Sequence, residues 1–375
     1  MLTSLRIQNF RSIRDASVKL GQVNLFIGPN NSGKSNFLKG IEVAAKSIAG
    51  HKYSESEFDL FITRDSIRKR TPEPNHPALK KLQDIVVEAE FVSISSLVKP
   101  QNTFVLKRNG DMLNSPSHGF DTEEDFEAFK NLTNHDEREA FYEKAPLRLE
   151  QLLKNSFVYK PDPAKFMATV ALEFSETLSA DGQNITNFLF NLSQNHKELF
   201  RQFEQSFKDC VVSLKSVSTP ADSHLKGQIK LKFFDALGNS YWAEEVSEGV
   251  LYFLALLCIV HQPDPPKLLL LEEPEKGIHP RRIKEVMDFI FELAELRGIQ
   301  IILTSHSPYV VDHFADIPEC ISVFDRENDE TVIHNAGDLI NESNAQLAAE
   351  GKPPIRYTDS LGEHWVSGFL GGVPA

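Results

Sequence analysis

The chain has 375 residues, of which 41% are hydrophobic and 25% are charged. This composition is typical of globular proteins and excludes a disordered or collagen-like chain. Acidic residues outnumber basic residues by 53 to 40, and the net charge of −13 disfavours non-specific contact with nucleic acid without excluding a local basic groove. The three cysteines form no Cys-x-x-Cys pair, which disfavours a zinc knuckle and a disulfide framework. From the length we expect two to three domains or one elaborated domain.

No segment of the sequence predicts a membrane span or a secretory signal. The longest apolar run, Val250–Val260, has eleven residues, whereas a spanning helix needs roughly 20, so the run predicts a buried helix instead. Residues 1–11 lack the apolar region of a secretory signal. Free cysteines are typical of a reducing compartment. We therefore expect a cytoplasmic protein that has no membrane partner.

The first 50 residues predict a strand, a glycine loop and a helix in that order. Val23–Ile27 is a short apolar run, and a helical pattern extends from Lys34 to about Ile48. Between them, Gly28–Ser35 reads GPNNSGKS and fits the phosphate-loop pattern G-x-x-x-x-G-K-[ST]. An accidental glycine turn would not be expected to follow a strand and open a helix at the same time.

Each position of this loop has a chemical reason. Glycines let the backbone N–H groups point inward at phosphate oxygens, and the amino terminus of the next helix adds its positive dipole end. Lys34 supplies a positive charge to the β- and γ-phosphates, and Ser35 supplies a hydroxyl to Mg²⁺. The residues predicted to bind nucleotide here are Asn30, Asn31, Ser32, Gly33, Lys34, Ser35 and Asn36.

Residues 51–165 carry two blocks of opposite charge. Residues 61–81 sum to +4 and residues 119–139 sum to −6. Such blocks usually form solvated surface; the functional alternative is a basic docking patch for DNA or a partner protein, with the acidic block as a second docking face. A short strand is predicted over Ile85–Val92. Further along, the pattern predicts a helix over residues 187–207 and a strand over Val211–Leu214.

Two carboxylates follow a strand in the last third of the chain. Lys267–Leu271 is a continuous apolar run of the kind found in parallel sheets buried on both faces, and Glu272 and Glu273 come directly after it. We predict that Glu272 holds the Mg²⁺ shell and that Glu273 polarises the attacking water as a general base. The alternative, an exposed acid pair at a strand end, is disfavoured by the phosphate loop upstream.

A helix from Pro280 to about Leu296 leads to a second buried strand, Ile299–Leu303. His306 follows this strand, and Pro308 begins a short helix after it. A histidine at this strand end can reach the γ-phosphate and sense its presence. A lone histidine is more often structural, but its position after the phosphate loop and the acid pair favours the catalytic role.

Ser247 and Gly249 precede the apolar helix over residues 250–260. Serine and glycine at a helix start form a small anion-binding cap, and the alternative is an ordinary N-cap. Their position favours the anion-binding role, because they lie between the phosphate loop and the acid pair.

In this order, the phosphate loop, the Ser-x-Gly helix start, the Glu-Glu-Pro strand end and the histidine resemble the motifs of ABC-type ATPases. Ile7–Ser12, GPNNSGKSNFL and LLLLEEPEKGIHP are similar to segments of the RecF, SMC and OLD branch (AAA15/AAA21-like). The resemblance covers about residues 1–50 and 168–325. It implies an α/β fold, namely a P-loop ABC-type ATPase head whose mixed sheet has flanking helices and is interrupted by an α+β insertion.

The resemblance also implies that ATP and Mg²⁺ are bound between two protomers of a homodimer or a higher homo-oligomer. Each phosphate loop would meet the Ser-x-Gly motif of the other protomer, so that Ser247 and Gly249 act in trans. Arg11 and Ser12 would lie near the nucleotide. The sequence departs from the family pattern because Glu272 stands where aspartate is common and the transporter signature LSGGQ is absent. No residue is assigned to the glutamine loop.

For domain organisation we expect an ATPase head of residues 1–50 and 168–335, an insertion of residues 51–167 for partner recognition, and a tail of residues 336–375 packed on the head, without a Toprim nuclease domain. We expect an ATP-hydrolysing dimeric switch in DNA metabolism or anti-phage defence that controls a separate effector, a nuclease or toxin, with DNA as a further candidate partner. The alternative is an ATP-stabilised scaffold with little turnover that sequesters a toxin or nuclease. A transporter subunit is disfavoured because Ser247 lies 212 positions after Ser35.

Overall fold

The computed structural model describes residues 1–54, 85–91, 99–106, 112–119, 152–222, 225–354 and 360–373. The basic block over residues 61–81 and residues 120–139 of the acidic block lie outside the described residues. The chain divides into two compact units. Unit 1 comprises residues 1–156, 267–270 and 300–375, and unit 2 comprises residues 157–266 and 271–299. The predicted division into head, insertion and tail stays a prediction.

Strands and helices are numbered in chain order over the described residues. The strands are β1 Leu2–Phe10, β2 Ile13–Lys19, β3 Val23–Ile27, β4 Ile85–Phe91, β5 Lys99–Leu106, β6 Met112–Gly119, β7 Val158–Tyr159, β8 Val170–Ala171, β9 Ser216–Ser218, β10 Gln228–Ile229, β11 Lys232–Phe234, β12 Ser240–Trp242, β13 Leu268–Glu272, β14 Gln300–Thr304, β15 Ile321–Glu327 and β16 Glu330–Asn335. The helices are α1 Lys34–Ile48, α2 Pro163–Phe166, α3 Ile185–Asn195, α4 Lys197–Cys210, α5 Glu248–Val260, α6 Pro280–Arg297, α7 Pro308–Asp312, α8 Ala336–Ala349 and α9 Leu361–Val366.

Unit 1 contains an antiparallel sheet with the strand order β2-β1-β4-β5-β6. In the centre of β1, Ile7 is opposite Ala16 of β2 on one side and Val87 of β4 on the other. All three side chains are buried, as expected where alternate residues of a strand face a core. Residues 85–119 therefore supply three strands to the same sheet as the amino-terminal hairpin.

A second sheet of unit 1 has the order β16-β15-β3-β14-β13. Strand β3 pairs in parallel with both β14 and β15. Every residue of β3 and β14 is buried, which explains why both read as continuous apolar runs in the sequence. Strands β15 and β16 form a hairpin whose two turn residues, Asn328 and Asp329, both have positive φ, as a two-residue type I′ turn requires. The predicted mixed α/β architecture is thus confirmed.

Helix α1 packs on strand β1 at a glycine. A Cβ atom at Gly40 would lie 2.9 Å from Ile7 Cδ1, so glycine permits the close approach of the helix. Beneath the start of α1, Phe26, Phe37 and Phe324 form a fully buried cluster with ring centroids 4.9 to 5.9 Å apart. These three rings join strand β3, helix α1 and strand β15, so the segment before the phosphate loop and the helix after it share one core.

The carboxyl-terminal segment of unit 1 packs on the second sheet. The indole of Trp365 is buried and donates a hydrogen bond to the Gly372 carbonyl over 3.1 Å. Gly372 has a φ of +55°, and a Cβ atom there would lie 2.9 Å from the Phe324 carbonyl oxygen and 3.4 Å from the Gly28 Cα. Gly372 therefore lies against strand β15 and against Gly28, the first residue of the phosphate loop.

Unit 2 is built around the apolar helix α5. Residues 249–260 are all buried, so the helix is surrounded by the chain rather than amphipathic. Phe203 and Phe207 of α4 pack near it, and Phe207 stacks on Phe233 of the small sheet β12-β11-β9. Among the described residues, no helix is both long enough and apolar enough to cross a bilayer.

The elements that carry predicted site residues form where the sequence places them. Strands β3, β4, β13 and β14 and helices α1, α6 and α7 are confirmed within one or two residues. Two predictions in unit 2 are wrong. The helix over residues 187–207 is two helices, because His196 has a φ of −126° and a ψ of 58° that no helix continues through. Val211–Leu214 is a turn closed by the Leu214 N–H on the Val211 carbonyl, and the strand begins at Ser216.

Candidate nucleotide-binding site

Two glycines fix the shape of the predicted phosphate loop. Gly28 has a φ of +142° and Gly33 a φ of +111°, both in the region that L-residues rarely adopt. A Cβ atom at Gly28 would lie 2.1 Å from the Phe324 carbonyl oxygen, and one at Gly33 would lie 2.2 Å from Thr331 Oγ1. Only glycine fits at either position, so strands β15 and β16 determine the path of the loop.

The Lys34 side chain turns back into the loop that precedes it. Its Nζ donates hydrogen bonds to the Gly28 and Pro29 carbonyl oxygens over 2.7 and 2.8 Å, and Ser32 Oγ lies 3.5 Å away. Lys34 is only 6% exposed. The loop thus holds one buried positive charge at its centre, which is the chemistry that a polyphosphate requires.

The amino terminus of α1 adds a second source of positive potential. Gly33 is the N-cap, no side chain caps the helix, and the first turn carries no acidic residue. Asn31 in the loop has a φ of +64°. The first-turn amides and the dipole of a 15-residue helix therefore point into the loop, an arrangement that favours anions.

Arg11 and Ser12 lie at the first turn of α1. Arg11 Nη1 donates to Asn36 Oδ1 over 3.2 Å, and Asn36 Nδ2 donates to Ser12 Oγ over 2.9 Å. Ser12 Oγ is 2.8 Å from Thr331 Oγ1, the side chain that contacts Gly33. The structure therefore brings Arg11, Ser12 and Asn36 together beside the phosphate loop. Their contact with nucleotide stays a prediction.

His306 follows strand β14 at the level of the phosphate loop. Thr304 is opposite Phe26 in the parallel pairing of β14 with β3, and the Ser305 N–H donates to the Phe26 carbonyl over 3.1 Å. Extending this register by two residues places His306 beside Gly28. The half-buried histidine is thus on the same edge of the sheet as the loop. Its role as a γ-phosphate sensor stays a prediction.

Glu272 is the last residue of strand β13, Glu273 follows it, and both belong to unit 2. Glu273 has a φ of +49°, uncommon for a non-glycine residue, and its carbonyl accepts the Lys276 N–H over 3.0 Å. The Lys160 Nζ lies 3.4 Å from Glu272 Oε1 and 3.7 Å from Glu273 Oε2, and the Lys276 Nζ lies 3.9 Å from the latter. The acid pair is therefore surrounded by cations of its own unit.

Ser247 and Gly249 are at the start of α5, as the sequence predicts. Ser247 is the N-cap residue, but its hydroxyl makes no cap hydrogen bond. It accepts instead from Arg282 Nη1 of α6 over 3.0 Å, and a Cβ atom at Gly249 would lie 3.6 Å from the same nitrogen. An arginine thus lies beside the predicted Ser-x-Gly motif. The action of Ser247 and Gly249 in trans stays a prediction.

Sequence analysis did not identify three residues that contact the predicted site residues: Thr331, Lys160 and Arg282. Thr331 is 296 positions from Ser35 and carries no local signal. Lys160 follows a two-residue strand that is too short for a periodic pattern. Arg282 could have been noticed, because it stands in the first turn of a helix that begins directly after the acid-pair loop. Only their packing shows that they contact the predicted residues.

Comparison with known proteins agrees with these motifs. The model of the family described as "AAA domain, putative AbiEii toxin, Type IV TA system" matches residues 23–312. The uncharacterized ABC transporter ATP-binding protein YhcH of Bacillus subtilis (strain 168) is 39% identical over 49 residues, which are 13% of this chain and 15% of that protein. The similarity therefore spans far less than two thirds of that relative.

Two solved structures are similar at low sequence identity. One is the SMC head domain from Thermotoga maritima, at 14% identity and a TM-score of 0.46, covering 89% of this chain and 98% of that one. The other is the Smc head domain with an extended coiled coil bound to the C-terminal domain of ScpA from Pyrococcus furiosus, at 12% identity and a TM-score of 0.49, covering 92% and 99%. Because the family model spans more than half of the sequence, the chain belongs to this AAA family.

Proposed function

We propose that the chain binds ATP at Gly28–Asn36 and hydrolyses it with Glu273 as the general base. The observation that supports this most is the loop geometry, in which two left-handed glycines and the amino terminus of α1 surround the buried Lys34 ammonium. Lys34 would neutralise the β- and γ-phosphates, and Arg11 and Ser12 would border the nucleotide beside Asn36.

The resemblance to ABC-type ATPases implies a magnesium ion as well as a nucleotide. Ser35 offers a hydroxyl and Glu272 a carboxylate, the hard oxygen ligands that Mg²⁺ prefers. A bound Mg²⁺ supplies charge neutralisation at the phosphates. Glu273 would accept the proton of the attacking water through a carboxylate that remains 26% exposed, and His306 would contact the γ-phosphate from the end of β14.

We further propose that nucleotide closes a homodimer, with Ser247 and Gly249 contacting the ATP of the partner protomer. This rests on the resemblance to ABC-type ATPases and on the half-exposed Arg282 beside Ser247, which adds positive charge to that surface. Hydrolysis would open the dimer again. The ATP cycle would then serve to switch the protein between a closed and an open dimer, not to supply ADP or phosphate.

The output of the switch is proposed to be a separate effector, a nuclease or toxin, in DNA metabolism or anti-phage defence. The family description names a putative toxin of a type IV toxin–antitoxin system, which supports a setting in defence but names no partner. Residues 51–167 would recognise that partner or DNA. Hydrolysis measured with and without duplex DNA tests whether DNA is a partner. A stimulation of less than twofold would contradict DNA as a partner.

A pair of variants tests the proposed reaction. Glu273→Gln should keep Mg²⁺–ATP binding within about threefold, lower phosphate release by about 10²–10⁴-fold, and trap an ATP-bound dimer on size exclusion. Lys34→Ala should abolish nucleotide binding. Lys19→Ala is the matched control, because Lys19 is an exposed lysine of the same unit that pairs with Asp338 over 2.9 Å.

The outcomes separate the proposals. A Glu273→Gln protein that stays monomeric with ATP contradicts the dimeric switch, and unchanged phosphate release contradicts the role of the base. Negligible hydrolysis by the unmodified protein, together with a co-purifying toxin or nuclease held only when ATP is present, would favour the scaffold with little turnover.

A further inference from the structure

Three charged groups meet at the end of strand β13. The two carboxylates of Glu272 and Glu273 are adjacent in the chain and only 22% and 26% exposed, so their mutual repulsion is incompletely screened by water. The Lys160 ammonium lies 3.4 Å from one and 3.7 Å from the other. The Lys160 ammonium thus lies close to both acids, and all three residues belong to unit 2.

The main chain holds Lys160 at this position. The Lys160 N–H donates to the Ala180 carbonyl over 2.8 Å, and the preceding residue, Tyr159, is 1% exposed. The Tyr159 hydroxyl accepts from Gln262 Nε2 over 3.3 Å, and Gln262 Oε1 accepts the Leu178 N–H over 2.8 Å. The backbone of Lys160 is therefore held in place, while its side chain remains 44% exposed and able to change rotamer.

The two distances indicate an exchangeable pairing. Both exceed the usual donor–acceptor distance of about 2.9 Å for a hydrogen bond, so the attraction between Lys160 and each acid is mainly Coulombic. Mg²⁺ approaches carboxylate oxygens to about 2.0–2.1 Å and carries twice the charge. An ammonium at this distance can neutralise the acids, yet it cannot hold its place against a divalent ion that arrives with further ligands.

We propose that Lys160 is the resident counter-cation of the Glu272–Glu273 pair and that a divalent metal must displace it. Lys160 keeps the acids neutralised before nucleotide binds, and it disfavours metal binding to the protein alone. Metal then enters together with nucleotide, whose phosphates supply the additional ligands. This inference rests on the proposed function, because that function assigns Glu272 to the metal.

Binding of Mn²⁺ to the full-length, nucleotide-free protein tests the inference. Electron paramagnetic resonance of free Mn²⁺ gives the dissociation constant without any turnover. Lys160→Gln should bind Mn²⁺ about tenfold more tightly than the unmodified protein, a difference of about 1.4 kcal/mol. Lys160→Arg, which keeps the charge, should stay within about twofold of the unmodified protein. So should Lys165→Gln, the matched control, because Lys165 is an equally exposed lysine of the same unit that pairs with Asp181.

A second substitution locates the metal at the acid pair. Adding Glu272→Gln to Lys160→Gln should remove the gain in Mn²⁺ affinity, whereas weak binding elsewhere on the acidic surface is common to all variants. If Lys160→Gln does not fold, Lys160→Met replaces it in the same series. Equal Mn²⁺ affinity in the unmodified and Lys160→Gln proteins would overturn the inference, as would an equal gain from Lys165→Gln.

A failure of this inference and a failure of the proposed function can be told apart. Phosphate release from Mg²⁺–ATP, measured on the same preparations, tests hydrolysis by itself. A protein that hydrolyses ATP but shows no Lys160-dependent change in Mn²⁺ affinity refutes only the counter-cation. A protein that shows the change but never hydrolyses ATP refutes only the enzymatic role.

Discussion

The phosphate loop in unit 1 and the acid pair in unit 2 hold their charges in different ways. The Lys34 ammonium is enclosed by the carbonyl oxygens of its own loop and is 6% exposed. Glu272 and Glu273 are about a quarter exposed and are offset by two lysines at 3.4 to 3.9 Å. Packing thus fixes the conformation of the loop, whereas the acid pair is neutralised by lysine side chains that are exposed and can move. This difference agrees with the proposed function, in which the loop is a preformed binding element and the acid pair exchanges its partners.

The aromatic cluster beneath the phosphate loop offers the largest test of this contrast. Phe37→Ala removes a fully buried ring in contact with Phe26 and Phe324, so it should lower the free energy of unfolding by about 3–5 kcal/mol. Phe174→Ala, at a ring that is 74% exposed, should change it by less than about 0.5 kcal/mol. Urea denaturation measures both. A Phe37→Ala loss of less than 1 kcal/mol would show that the loop does not depend on this core.

Gly28→Ala tests whether the loop is fixed by contact or only by its backbone angle. Both Gly28 and Gly50 have positive φ, but a Cβ atom at Gly50 would meet no atom within 4 Å. Gly50→Ala should therefore cost about 1 kcal/mol for strain alone, and Gly28→Ala at least about 2 kcal/mol more because of the Phe324 carbonyl. Thermal unfolding compares the two variants. Equal losses would contradict the contact.

Unit 2 should lose stability first on acidification. Burial lowers the pKa of His261 from 6.5 to about 4, and its Nδ1 donates to the Leu257 carbonyl over 2.8 Å while Arg297 contacts its Nε2. Between these pH values the unfolded chain binds the proton and the folded chain does not. The free energy of unfolding should therefore fall by about 2 kcal/mol from pH 7 to pH 5.

His261→Gln, which cannot titrate, should flatten that pH profile, and an unchanged slope would assign it to other groups.

The buried carboxylate of Glu42 in unit 1 affects the free energy of unfolding at lower pH values than His261 does. Burial acts to raise the pKa of Glu42, but hydrogen bonds from Lys46 and Lys39 outweigh it and leave the pKa below 4.5. The stability that Glu42 contributes is present above that value and is lost only as the pH falls through its folded pKa.

Tyr252→Phe should have the smallest effect. Within the described residues, the buried Tyr252 hydroxyl has no hydrogen-bond partner, so removing it should change the free energy of unfolding by less than about 0.5 kcal/mol or raise it. Tyr159→Phe is the matched comparison in the same unit. It loses the bond from Gln262 over 3.3 Å and should cost about 1 kcal/mol. Equal losses in the two variants would contradict this distinction.

Local sequence patterns were sufficient for the elements that carry the site. Buried parallel strands are continuous apolar runs, and β3 and β14 were predicted for that reason, whereas the phosphate loop was recognised by its spacing. Patterns failed where a single backbone angle decides the structure, as at His196 between α3 and α4. They also could not show contacts made across long sequence separations, such as Thr331 against Gly33 or Lys160 against Glu272.

The residues that pack against the phosphate loop have a consequence for relatives of this protein. The family match ends at residue 312, yet Gly28 contacts Phe324 and Gly372, and Gly33 contacts Thr331, all of which lie beyond it. Any residue at position 324 would keep the carbonyl that faces Gly28, but a chimera whose final segment lacks threonine at position 331 would bring a different side chain against Gly33. The final segment should therefore be exchanged together with the loop that it contacts.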